Sequence, residues 1–127
     1  MLTVKEFSSK TAKELAVIKN RLELVNKLAR TCPALSGADA FTVMTKSESD
    51  LFMALDALNA DRYDVAREKI LDAIMKVNDL NVTLIKSLHP VMQPGEQFAN
   101  SLKNMLYSVR SDLERCHDQT RNYSAVA

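Results

Sequence analysis

The chain has 127 residues, 46% of them apolar, with 17 basic and 16 acidic side chains, two glycines, three prolines and no tryptophan. That length buries one core without disulfide staples, and that composition excludes wholesale disorder. A net charge of +1 excludes a global field that would gather nucleic acid or an anionic membrane.

Few turn residues and no sustained period-two alternation exclude a β-rich fold. The expectation is all-α: a single-domain antiparallel helical bundle of about four main helices over 1–118, with a frayed tail over 119–127.

The first helix is expected over 3–31. Thr3 and Glu6 form a capping box, in which hydroxyl and carboxylate each satisfy a free amide of the first turn. Val4, Phe7, Thr11, Leu15, Ile18, Leu22, Val25 and Ala29 keep heptad-like spacing, while Val17, Leu24 and Leu28 make a second strip on another side. Pro33 disfavours helical geometry in Cys32 and stops the helix. Residues 32–46 read as the longest connection, with a short helical turn over 38–44 that drops Phe41 and Met44 into the core. Thr45 and Glu48 read as a second capping box, opening a helix over 46–59. Leu51, Phe52, Met53, Ala54, Leu55 and Leu58 surround that helix, so it is buried on several sides or meets a partner.

Asn59-Ala60-Asp61 is a tight break, with Asp61 read as the cap of the next helix, 62–88. Tyr63, Ala66, Ile70, Ala73, Val77, Leu80 and Leu84 form an apolar seam spaced alternately three and four residues apart. The large–small order of Tyr63, Ala66, Ile70 and Ala73 is similar to that in the second helix of a tetratricopeptide hairpin. It does not recur at that family's period of about 34 residues, so it reads as close helix packing. Outside the seam runs a second strip, Leu71, Met75, Val82 and Ile85, with Asn78 among them.

His89-Pro90 and Pro94-Gly95 frame the next link, and the last helix is expected over 95–118. Phe98, Leu102, Met105, Leu106, Val109, Leu113 and Cys116 make a stripe about 100° wide, with Lys103, Tyr107, Arg110, Asp112, Glu114 and Arg115 largely outside it.

Catalytic and metal signatures are absent. Glu114 and His117 match one Glu-x-x-His pair of a dimetal bundle, but there is no second pair. Cys116, His117 and Asp118 are adjacent on a helix, point in different directions and cannot chelate one ion together. His89 reads as a partner of the preceding helix's last carbonyls. No serine has a base or tight-turn context, and neither glycine belongs to a phosphate-cradling loop. No enzyme activity, cofactor, metal or small-molecule substrate is expected. Two cysteines and no secretory or membrane-length apolar run point to reduced thiols in the cytoplasm.

Seven basic residues against three acidic ones over 1–36, and two against six over 37–66, suggest that the first helix packs near the acidic middle. The functional content lies in apolar circumference beyond what a four-helix bundle hides. The expected function is a cytoplasmic protein–protein interaction module: an adaptor, chaperone, inhibitor or assembly subunit, self-associating as a homodimer. Its contact candidates are Val17, Leu24, Leu28, Phe52, Met53, Leu71, Met75, Val82 and Ile85. The competing structural reading has the 32–46 connection cover the extra surface. The competing functional reading is a nucleoprotein subunit using Lys10, Lys13, Lys19, Arg21 and Lys27.

Overall fold

A computed structural model describes residues 3–91 and 93–126, with the backbone alone over 123–126. Four helices follow one another: α1 (Val4–Ala29), α2 (Ala38–Asn59), α3 (Tyr63–Ser87) and α4 (Gln97–Val126). A short 3-10 turn, Pro33–Leu35, lies between the first two, and no strand occurs among the described residues. Each helix packs on its neighbours in chain order, and α1 closes the ring against α4. This is an all-α four-helix bundle.

The seam on α3 does what its spacing demands. Ala66, Ile70, Ala73, Val77, Leu80 and Leu84 are buried, facing Leu15, Leu22 and Ala29 of α1, Met44, Leu51 and Ala54 of α2, and Leu102, Leu106 and Leu113 of α4 in one core. Alanines at alternate seam positions let the neighbouring backbones approach closely, and long side chains elsewhere fill the centre. The first turn of α1 is capped as expected, with the Thr3 hydroxyl accepting from the Glu6 amide at 3.2 Å.

Three expectations are corrected. First, α2 is one helix from Ala38, not a turn over 38–44 and a helix over 46–59. No glycine or proline interrupts 38–59, so helix once started continues. Thr45 does not cap: its hydroxyl donates back to the Phe41 carbonyl at 3.0 Å, and Glu48 reaches Arg30 at 3.7 Å. The connection shrinks to 30–37 and leaves the outer faces uncovered.

Second, Asp61 does not cap α3; it ends α2. Its φ of 59° is left-handed. The Arg62 amide then bonds back to the Ala57 carbonyl at 2.8 Å, which is the long closing bond of a Schellman turn. Aspartate tolerates that conformation better than most residues.

Third, α4 runs past 118 to Val126, where a frayed tail was expected. The physical reason lies in tertiary contact. Thr120 is fully buried, the Thr11 hydroxyl donates to Gln119 Oε1 at 2.8 Å, and Gln119 donates to Glu14 at 3.5 Å. Polar residues that showed no apolar period are thereby fixed against α1.

Candidate protein interaction surface

All nine contact candidates are exposed, from 39% at Val82 to 66% at Val17. They do not form one surface. At about 100° per residue, Val17, Leu24 and Leu28 lie roughly 135° from the buried line of α1, on the side turned towards α4. There Leu24, Leu28 and Val25 meet Asn104, Met105 and Ser108 in an open groove of about 410 Å³. Arg21 lines one end of this groove, and its guanidinium binds the Asp112 carboxylate of α4.

Leu71, Met75, Val82 and Ile85 form a second strip on α3, also tilted towards α4. Asn78 lies in its middle and accepts from Arg110 at 2.7 Å. The same guanidinium stacks on the Tyr107 ring at 4.9 Å and reaches Glu114 at 3.5 Å. Ile85 borders the same cavity as Lys103. In that antiparallel register Tyr107 stands alongside Asn78 and Val82.

Phe52 and Met53 part company. As neighbours in sequence they point about 100° apart. Met53 joins Val65, Asp56, Arg62 and Lys69 around an opening of about 520 Å³ at the α2–α3 turn. Phe52 lies one turn after Glu48, which pairs with Arg30, and so falls towards the α1 side of α2. The two strips therefore flank α4, whose own outward face is polar through Asn100, Asn104, Ser111, Arg115 and Asp118. Sequence reasoning placed Met105 in the core stripe, but it is 39% exposed on the groove's rim, and Tyr107 was noted only as lying outside the stripe. For Met105 the available signal was its place at the edge of the stripe, next to Ser101 and Ser108.

The basic residues of α1 are partly engaged. Lys19 pairs with Glu23 within the helix at 2.5 Å, and Arg21 is held by Asp112. Lys10, Lys13 and Lys27 then spread over about 100° of circumference. The expected packing of basic α1 against the acidic middle appears as the Arg30–Glu48 pair; Asp50, 7% exposed, is instead neutralised by Lys76 of α3.

Residues able to do chemistry are dispersed or muted. Cys32 and Cys116 are free and buried, and burial pushes the Cys116 thiol up to about 11. His89 does not turn back onto α3. It binds Glu96 across the 88–96 link, and Glu96 also accepts from the Gln93 amide at 2.8 Å. The Gln93 amide, and after it His89, hold the Glu96 carboxyl below its ordinary value. No group of three metal-ligating side chains occurs among the described residues. Nor is any helix among them long and apolar enough to cross a membrane.

No protein-family model matches the chain, and neither a curated protein nor a solved structure matches it.

Proposed function

We propose that this chain is a small, non-enzymatic, cytoplasmic protein–protein interaction module, serving as an adaptor, chaperone, inhibitor or assembly subunit. One observation carries the reading. The core is closed by the inner faces of all four helices, yet apolar side chains recur in ordered strips on the outer faces of α1 and α3. Scattered surface leucines need no explanation, but strips of bulky residues at helical spacing suit a partner helix or a second copy. Met53, Met75 and Met105 among them add an adaptable surface. The cytoplasmic assignment rests on the two unpaired thiols.

The nucleoprotein reading is the weaker one, since two of its five residues, Lys19 and Arg21, are engaged by Glu23 and Asp112, and Lys19 lies on the other side of α1 from Lys10 and Arg21. Molar mass in solution at micromolar concentration, with hydrophobic-dye binding alongside, tests the proposal. Association or dye uptake is expected. A strict monomer that binds no dye would mean that these strips are ordinary surface.

A further inference from the structure

The outer strip of α3 reads nearly the same in both directions. Leu71, Met75, Asn78, Val82 and Ile85 are spaced four, three, four and three residues apart, with Asn78 at the centre. A helix with such a strip can pack on an antiparallel copy of itself about a two-fold axis at Asn78. Leu71 then meets Ile85 of the second copy, and Met75 meets Val82, so each apolar residue finds an apolar partner.

The charges on the strip's edge decide which partner fits. Glu68 and Lys86 lie on the edge away from α4, each about 60° from the strip's centre. Both are exposed, and neither has an ion-pair partner among the described residues. At about 1.5 Å rise per residue, Lys86 is roughly 12 Å from Asn78 in one direction and Glu68 roughly 15 Å in the other. A two-fold at Asn78 sets Lys86 of one copy beside Glu68 of the next, offset by about 3 Å along the axis, and does so twice. Parallel packing about a two-fold along the helix axes would carry this edge to the opposite side of the contact and leave Lys86 and Glu68 without each other. Asp79 lies farther round, about 80° from the centre, where it stays in water. On the other edge the incoming helix meets Tyr107, 55% exposed and fixed by Arg110.

We infer that the occupant of this face is a second copy of the chain, its α3 lying antiparallel in the α3–α4 groove about Asn78, with reciprocal Lys86–Glu68 pairs. The inference rests on the interaction-module reading and names its partner. A contact of one helix face with its copy belongs with the small, transient interfaces, below about 1,200 Å² in total.

The test follows the mass of the full chain by sedimentation from micromolar to millimolar concentration. Wild type is expected to dimerise, and Met75→Glu to remain monomeric with an unchanged circular dichroism spectrum. Lys86→Glu and Glu68→Lys are each expected to raise Kd on the order of tenfold or more, because attraction becomes repulsion at two exposed sites. An equimolar mixture of those two variants restores wild-type affinity, since both cross pairs are then opposite in charge. No structural defect produces that rescue. Variants that weaken the dimer without rescue on mixing would overturn the antiparallel register. A dimer that ignores them and is lost on Leu24→Glu would overturn the docking face while keeping the interaction reading. A monomeric wild type that binds dye overturns self-docking alone, and one that binds no dye overturns both.

Discussion

Helix α3 carries two heptad-spaced apolar rows, and they meet opposite fates. The inner row, from Ala66 to Leu84, is buried; the outer row, from Leu71 to Ile85, is in water. Hydrophobic spacing therefore does not by itself distinguish core from surface. What separates the rows is side-chain size and neighbourhood. The inner row alternates large residues with Ala66 and Ala73, which lets α2 and α4 come close on either side. The outer row has no alanine and instead carries Asn78 at its centre, already engaged by Arg110. One row is shaped for close packing within the chain. The other keeps its bulk outward.

The contrast can be broken most forcefully by matched truncations. Ile70→Ala is expected to cost about 2–5 kcal/mol in chemical denaturation, because it removes buried methylenes and leaves a cavity. Met75→Ala, five positions on but in the outer row, should stay within about 0.5 kcal/mol. Equal losses would mean that the outer row is core in solution.

A smaller effect tests the polar link that orients α3. Asp50 is nearly buried on α2, with Lys76 as its partner. Lys76→Ala should destabilise by about 1–3 kcal/mol, since it strands a desolvated carboxylate. Adding Asp50→Asn should recover part of that loss. A double variant no better than the single one would count against the pairing.

The mildest prediction concerns the turn that keeps α3 and α4 in register. The Glu96 carboxyl is held below its ordinary value of 4.5 by the Gln93 amide and His89. A depressed carboxylate stabilises the fold above its unfolded value and loses that contribution as pH falls through the folded value. The melting temperature of wild type should therefore exceed that of Glu96→Gln at neutral pH, and the two should converge in acid below 4.5. A gap unchanged in acid would remove the ionic account of this turn.

Much of the bundle was legible because helix period and core period coincide. The α3 seam, the Thr3 cap and the stops near Ala29, Asn59 and Ser87 all follow from local patterning. The misreadings share a cause. Thr45–Glu48 looked like a start because a capping box carries no mark of being mid-helix, and its residues form other bonds there. Gln119 looked unstructured because its partners, Thr11 and Glu14, lie more than a hundred positions away, and Thr120 because its burial depends on packing between helices. The nine contact candidates are exposed, yet their grouping was not legible. Phe52 and Met53 diverge while Leu24 joins Met105 of another helix.

What the sequence by itself determined is that the chain forms four helices, together with the buried lines of α1 and α3, because capping, spacing and side-chain size are read along one chain. It did not determine the start of α2 or the end of α4. Only the tertiary structure decided that the outer strips of α1 and α3 both lean towards α4, that the α1–α2 connection is too short to cover them, and that Arg110 ties Asn78 to Tyr107. Those depend on how each helix is rotated about its axis, and that rotation is set by packing all four inner faces at once.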